Sequence, residues 1–156
     1  MSQLVFGPSN ERIGPTDPMV DLRIPSEPCC AQIVRKVVIL FARHHHVPQD
    51  DLEKLLTALG EALANAIEHG RAARPIRVRC RIDREHIVAT VSDCGVGFRP
   101  APSMMTTLPD PMTEGGRGLP LMRRCSDIFN VRSSPGRGTT VRVGRRLLSG
   151  RRLRSA

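Results

Sequence analysis

The segment 49–70 constrains the fold of this chain more than any other stretch. Its apolar residues recur at helical spacing and form one stripe, which consists of Leu52, Leu55, Leu56, Leu59, Leu63, Ala66 and Ile67. Because a helix turns by about 100° per residue, Glu61, Asn65 and His69 form a row on the opposite side. The segment therefore predicts a helix that packs leucines on a core, presents a carboxylate, a carboxamide and an imidazole in line, and ends at Gly70.

The polar row on this helix has two interpretations. A surface helix normally has a solvated polar face, and the row taken alone fits that description. Asn65, however, is a poor residue for a helix interior, because its side chain competes for the backbone. Ala62, Ala64 and Ala66 would also let another group approach the row closely. These two features favour a functional row, and the motifs later in the chain strengthen that interpretation.

Size and charge limit the classes of protein that fit. The 156 residues are enough for one domain with a proper core, and four Phe without Trp or Tyr imply a core of Leu, Ile, Val and Ala. The net charge of +9 is mostly arginine, which is typical of nucleic-acid binding. The chain lacks zinc-finger spacing, RNP-like aromatics and base-stacking platforms. A basic face for an acidic protein partner, or for a nucleotide, therefore fits at least as well.

The five cysteines are odd in number and include no Cys-x-x-Cys pair. With no signal peptide and no long apolar run, this cysteine usage predicts a reduced, cytoplasmic protein without a membrane segment. The run His44–His46 resembles a metal cluster. Adjacent helical positions point about 100° apart, however, so the run also fits a solvated helix end.

Composition and periodicity divide the chain into three parts. Residues 1–18 are rich in Gly and Pro without a period, which predicts a flexible N-terminal arm. A single domain is expected over residues 19–146, followed by a basic tail over residues 147–156. Strands are predicted near residues 20–24, 76–82, 87–92, 128–132 and 138–143, and further helices from about Cys29 to His45 and from the glycines at 115–118 to near Ser126. The second and third strands should form a hairpin, and residues 133–136 a turn.

Two glycine-rich motifs follow the helix 49–70. Asp93-x-Gly95-x-Gly97-Phe98 places a fixed carboxylate at a strand end, beside backbone that can approach a ligand closely. Gly116-Arg117-Gly118-Leu119 leads into a helix, whose free backbone N–H groups favour phosphate. Neither motif is a P-loop or a Rossmann fingerprint. The first motif alone also fits an ordinary glycine turn.

Taken in order, these motifs resemble the N, G1 and G2 boxes of the GHKL (Bergerat-fold) ATP-binding superfamily. The matching strings are Glu61-x-x-x-Asn65-Ala66-x-x-His69-Gly70, Asp93-x-Gly95-x-Gly97-Phe98 and Gly116-Arg117-Gly118-Leu119, followed by Gly138-Thr139-Thr140-Val141. The resemblance covers about residues 20–146. Within the superfamily the chain looks most like the bacterial anti-sigma-factor serine/threonine kinases, because its length leaves no room for the dimerisation helices of a histidine kinase.

The resemblance implies a fold and the position of a ligand. The fold would be an α/β two-layer sandwich, with a mixed, mostly antiparallel sheet of about five strands and three helices on one face. ATP would lie between the helices and a lid formed by residues 99–115.

The resemblance also implies which residues contact the adenine. Asp93 would accept a hydrogen bond from the adenine amino group, and Gly97 would let the backbone approach the base. Thr139 or Thr140 would support further hydrogen bonds on the adenine side. The implied nucleotide-binding set also includes His69, Gly95 and Phe98.

At the phosphate end, the resemblance implies a catalytic role and a metal ligand. Asn65 would coordinate Mg²⁺ through its amide oxygen. Glu61 would act as the general base that takes the proton from a serine or threonine hydroxyl. Arg117 would either neutralise developing charge or lie on the lid surface. The phosphates would be held by Gly116, Gly118 and Leu119.

The implied activity is that of an ATP- and Mg²⁺-dependent serine/threonine protein kinase. Its substrate would be a STAS-type anti-anti-sigma protein, and it would hold a sigma factor inactive when free of that protein. The family usually works as a homodimer, and a homodimer is expected here. One alternative is an ATP-sensing binding module without kinase chemistry. Another is nucleic-acid binding driven by the charge, although no direct nucleic-acid contact is expected.

Overall fold

The computed structural model describes residues 2–6, 17–71, 73–106 and 117–147, with the backbone alone at residues 2–6, 105 and 106. Its elements form two layers, a sheet and a set of helices. The strands are β1 (Ser2–Phe6), β2 (Met19–Ile24), β3 (Ile76–Ile82), β4 (His86–Asp93), β5 (Ile128–Ser133) and β6 (Thr139–Arg146). The helices are α1 (Pro28–His44), α2 (Gln49–His69), α3 (Ser103–Thr106) and α4 (Gly118–Arg124).

The six strands form one sheet in the order β1-β5-β6-β4-β3-β2. Each neighbouring pair in it is antiparallel. The predicted two-layer α/β fold is confirmed, but the sheet has one strand more than expected, and the described strands include no parallel pair. The predicted hairpin is β3–β4, whose turn is closed by Asp83 Oδ1 accepting hydrogen bonds from the backbone N–H groups of Glu85 and His86, both at 2.7 Å.

The additional strand, β1, lies in the segment that was predicted to be a flexible arm. Its backbone pairs with β5, and Leu4 lies opposite Val131. The prediction of an arm is wrong for residues 2–6, because their apolar pattern is too short to show a period and their partner strand lies near the other end of the chain. Residues 7–16 and residues 148–156 of the predicted tail lie outside the described residues.

The leucine stripe of α2 packs on β4 and β6, the two central strands of the sheet. Ile67 of the stripe is half-buried. Its other members are buried as predicted, namely Leu52, Leu55, Leu56, Leu59, Leu63 and Ala66. The opposing strand residues are also buried, among them Val78, Ala89, Val91, Phe129, Val131, Val141 and Val143. Each buried Leu, Val or Phe side chain contributes about 1.5–3 kcal/mol, so this interface fixes the rotation of α2.

The helix ends agree with the sequence pattern to within a residue or two. Helix α2 carries Asp50 and Asp51 in its first turn, which suits the helix dipole, and Gly70 follows its last residue. Gly70 has extended backbone (φ −69°, ψ 167°) instead of the left-handed conformation usual for a C-terminal glycine. His46 has φ +58°, and the run His44–His46 does not form a three-ligand metal cluster within the described residues. No helix in the described ranges is long and apolar enough to cross a membrane.

Arg145, near the end of β6, forms two ion pairs. Its guanidinium lies 3.1 Å from Asp51 at the start of α2 and 3.1 Å from Asp127 just before β5. The side chains of Arg145 and Asp51 are only 14% and 15% exposed, so water screens their attraction weakly. The two pairs join three segments that are distant in the sequence.

We expect Arg145→Met to lower the free energy of unfolding by about 2 kcal/mol, because the half-buried Asp51 carboxylate loses its cation. Urea unfolding followed by circular dichroism measures the change. Arg146→Met is the matched control: Arg146 is exposed, and its replacement should change the free energy of unfolding by less than about 0.5 kcal/mol. Equal losses in the two variants would show that the ion pairs contribute nothing specific.

Candidate functional site

The polar row of α2 faces the first residue of α4. A Cβ atom placed on Gly118 would lie 3.2 Å from Glu61 Oε2 and 3.2 Å from Asn65 Nδ2. Both side chains are half-buried, and neither makes a hydrogen bond or ion pair with the residues that the structure describes. A carboxylate and a carboxamide therefore stand unpaired at one place, close to the backbone of Gly118, where a larger residue would crowd them. His69, at the end of the row, is exposed.

Asp93 ends β4 and lies across the sheet from Thr139, its partner in β6. Its Oδ1 atom accepts a hydrogen bond from the backbone N–H of Gly95 at 2.7 Å. Burial raises the pKa of Asp93, and hydrogen bonds from the backbone of Gly95 and Thr139 partly oppose that rise. The carboxylate is thus held in place and only partly compensated for its loss of water.

Gly95 brings the segment after β4 against the end of α2. A Cβ atom at Gly95 would lie 2.0 Å from the carbonyl oxygen of His69, so no other residue fits without moving the backbone. The same carbonyl accepts a hydrogen bond from the N–H of Val96 at 3.2 Å. The backbone of His69, and not its imidazole, therefore joins the two motifs.

Ser133 was not among the predicted site residues, but it holds two segments of the site together. It is fully buried, and its Oγ accepts a hydrogen bond from the N–H of Phe98 at 2.9 Å. The same oxygen lies 2.8 Å from Thr139 Oγ1 and 3.1 Å from the carbonyl oxygen of Gly138. From the sequence, the strand was expected to end at residue 132 and Ser133 to lie in the following turn. The alternation of Phe129, Val131 and Ser133 could have indicated that the strand continues to Ser133, with all three side chains on the helix side of the sheet.

These groups surround a cleft of about 730 Å³, a size typical of small-ligand sites. The cleft lies between α2, α4 and the helix side of the sheet. Its polar lining includes Asn65, His69, Asp93, Ser103 and Thr139. Its apolar lining includes Ala62, Ala66, Val91, Val96, Phe98, Met104, Leu119 and Val141, and Gly97 and Gly118 complete it.

Most of the predicted site residues line the cleft, namely Asn65, His69, Asp93, Gly97, Phe98, Gly118, Leu119 and Thr139. Glu61 and Gly95 adjoin it through the contacts described above. Of the two threonines left open, Thr139 lines the cleft, whereas Thr140 points to the other side of the sheet and donates a hydrogen bond to Ser92 Oγ at 3.1 Å. Gly116 lies outside the described residues. Arg117 is exposed and precedes α4. In the described part of the predicted lid, residues 99–106, the short helix α3 contributes to the cleft.

Known proteins resemble this chain over the range that contains the cleft. Residues 24–145 match the family model for the histidine kinase-like ATPase domain. Serine-protein kinase RsbW of Bacillus velezensis is 29% identical over 127 residues, which cover 75% of this chain and 79% of that protein. The anti-sigma F factor of Pasteuria penetrans is 30% identical over 112 residues, which cover 67% of this chain and 74% of that protein.

A solved structure has the same fold. The crystal structure of the RsbU and RsbW domains of a Mycobacterium tuberculosis protein superposes with a TM-score of 0.65 at 20% identity, over 88% of this chain and 35% of that chain. The range that matches the family model runs from the last residue of β2 to Arg145 in β6, so it includes the polar row of α2, Asp93 and both walls of the cleft. The chain belongs to the family of histidine kinase-like ATPase domains.

Proposed function

We propose that this protein is an ATP-dependent serine/threonine protein kinase that phosphorylates a STAS-type anti-anti-sigma factor and itself acts as an anti-sigma factor. The observation that carries the proposal is that Glu61 and Asn65, both without partners among the described residues, lie beside Gly118 of a cleft that is also lined by the carboxylate of Asp93. The names of the relatives, a serine-protein kinase and an anti-sigma F factor, support it. A sigma-factor partner would place the protein in the cytoplasm.

We assign the adenine to the part of the cleft next to Asp93. The free lone pairs of this half-buried carboxylate can accept a hydrogen bond from the adenine amino group, while Oδ1 stays bonded to Gly95. Apolar side chains such as Ala62 and Val141 line the cleft nearby and can contact the faces of the base. Thr139 adds a hydroxyl on the same side. The adenine pocket would therefore be mostly apolar, with one carboxylate that determines the orientation of the base.

The phosphate end of the cleft fits a Mg²⁺ ion. The Asn65 amide oxygen and the Glu61 carboxylate are hard oxygen donors without partners among the described residues, and Gly118 leaves space beside them. Mg²⁺ typically keeps several waters and takes only one or two protein ligands, so Asn65 alone is a sufficient protein contact. A bound Mg²⁺ would neutralise charge on the phosphates during transfer.

Glu61 is one helical turn before Asn65, and we assign it the role of general base. When the partner's hydroxyl oxygen attacks the γ-phosphorus, the bond between that phosphorus and the ADP oxygen breaks, and Glu61 takes the hydroxyl proton. Asn65 would orient the phosphates for this attack, and Gly118 and Leu119 would contact them. Arg117, immediately before Gly118, would neutralise part of the charge that develops.

We expect Asp93→Asn to weaken ATP binding at least about tenfold, measured by calorimetry. In the variant, the amide oxygen of the side chain can keep the hydrogen bond from the N–H of Gly95. The NH₂ group of the side chain then faces the adenine amino group, and two donors cannot form a hydrogen bond. GTP is the control ligand, because a carbonyl replaces the amino group: it should bind the wild type weakly and should gain affinity in Asp93→Asn, whose NH₂ group can donate a hydrogen bond to that carbonyl. Unchanged ATP affinity in the variant would remove Asp93 from the nucleotide site.

The same variant should be more stable than the wild type without nucleotide. Because the pKa of Asp93 is raised in the folded protein, its ionised form costs stability above that pKa, and the cost disappears as the pH falls through it. The melting temperature of Asp93→Asn should therefore exceed that of the wild type at neutral pH, with the difference shrinking towards acid pH. A lower melting temperature at neutral pH would contradict this assignment of the burial cost.

We expect Glu61→Gln to lower phosphate transfer from labelled ATP to a recombinant STAS-domain protein by about 10²–10⁴-fold, with nearly unchanged ATP affinity. Glu68→Gln is the control, because Glu68 is an exposed carboxylate on the same helix. Full transfer by Glu61→Gln would eliminate Glu61 as the base. If the wild type transfers no phosphate but ATP tightens its binding to the STAS protein, the protein is an ATP-sensing module instead.

We also propose that the protein is a homodimer, by its resemblance to the anti-sigma kinases. The mass of one chain is 17.2 kDa, and multi-angle light scattering at increasing protein concentration should give twice that mass. A mass of one chain at every concentration would exclude the dimer.

A further inference from the structure

The face of the sheet opposite the helices carries a group of arginines that the nucleotide site does not use. In β3 the alternating pattern places Arg77, Arg79 and Arg81 on this face, while the residues between them are buried. Arg142 of β6 and Arg132 of β5 join them there. We call Arg79, Arg81, Arg132 and Arg142 together the arginine face.

The strand register brings these residues together from distant parts of the chain. Arg79 lies opposite Thr90 of β4, Thr90 opposite Arg142 of β6, and Arg142 opposite Asn130 of β5. Arg132 lies two pairs further along β5, on the same face, opposite Thr140. The four arginines line a groove of about 330 Å³ together with Met19, Asp83, Val88, Thr90, Asn130 and Thr140.

The carboxylates near the arginine face already have partners. Asp21 is held by Arg77, which donates two hydrogen bonds to it at 3.0 and 2.6 Å. Asp83 accepts the two backbone bonds of the β3–β4 turn and lies 3.3 Å from His86 Nδ1. Arg79 and Arg132 make no hydrogen bond or ion pair with the described residues. The positive charge of Arg79 and Arg132 is therefore not matched by a carboxylate within hydrogen-bond distance in the described part of the chain.

We propose that the arginine face binds an acidic segment of a protein partner. Guanidinium groups pair with carboxylates through two parallel hydrogen bonds, and several of them around one groove suit a segment with more than one carboxylate. Met19 and Val88 supply an apolar floor that can receive the apolar side chains of such a segment. The inference does not depend on kinase activity.

The other possible occupants fit less well. The groove lining contains no aromatic side chain on which a nucleic-acid base could stack. A second copy of the chain, related by a two-fold axis through this face, would bring arginines against arginines. The chain's own residues 147–156 carry Arg151, Arg152 and Arg154 and no acidic residue, so they would be repelled.

The arginine face and the cleft lie on opposite sides of the same strands. Ser92 and Thr140, hydrogen bonded to each other, point to the arginine-face side, while their neighbours Asp93 and Thr139 line the cleft. A partner segment and a nucleotide can therefore be bound at the same time. Nucleotide affinity then serves as an independent measure of correct folding in variants of the arginine face.

The test uses a fluorescent peptide of alternating glutamate and valine, measured by anisotropy at physiological ionic strength. We expect the double variant Arg79→Glu/Arg132→Glu to bind this peptide at least about tenfold more weakly than the wild type, with unchanged ATP affinity. The control is Arg43→Glu/Lys54→Glu, which changes the net charge equally at two exposed helix positions. It should bind the peptide nearly as well as the wild type.

Several results would overturn the proposal. The proposal fails if the wild type does not bind the acidic peptide. It also fails if both double variants lose the same peptide affinity, because the peptide would then be attracted by net charge alone. A labelled DNA duplex that binds more tightly than the peptide, and loses binding in Arg79→Glu/Arg132→Glu, would make the face a nucleic-acid surface. A change in oligomeric mass confined to that variant would make it an interface between copies.

Discussion

The packing of α2 on the centre of the sheet is the constraint on which the site depends. The helix contributes its leucine side to the core, so its rotation about its own axis is set by burial of large apolar side chains and cannot change without exposing them. Glu61 and Asn65 are on the opposite side of the same helix, so the packing of the leucines also fixes their direction. A polar pair that must be held to within a fraction of an ångström is thus positioned by the least polar part of the molecule.

The cleft also depends on backbone segments that touch. Gly95 lies against the carbonyl of His69, Gly118 lies against Glu61 and Asn65, and Ser133 joins Phe98 to Thr139. These contacts connect four segments that are far apart in the sequence. Small residues fit there because backbone segments come close to one another and to neighbouring side chains. The half-buried Asp93 is left with a desolvation cost that a hydrogen-bond donor on the ligand can offset.

Local patterns in the sequence located most of the helices and strands, and the family resemblance supplied the layer arrangement and the set of site residues. The period of α2 predicted its bounds and its two faces, and Asp93 was placed correctly at a strand end. The choice between Thr139 and Thr140 depends on register: Thr139 pairs with Asp93, and only the odd-numbered residues of β6 face the helices. Ser133 and β1 were missed because their partners lie elsewhere in the chain. The arginines of β3 were visible, but their meeting with Arg132 and Arg142 required the strand order.

The pairing of β1 with β5 has a consequence for synthesis of the protein. Strand β1 is made long before its partner β5, so it must wait at the sheet edge until β5 has left the ribosome. The β2, α1, α2, β3 and β4 segments can associate earlier, because their contacts are closer in sequence. Thr139, Val141 and Ser133 emerge late, so the cleft is completed only when β5 and β6 join the sheet.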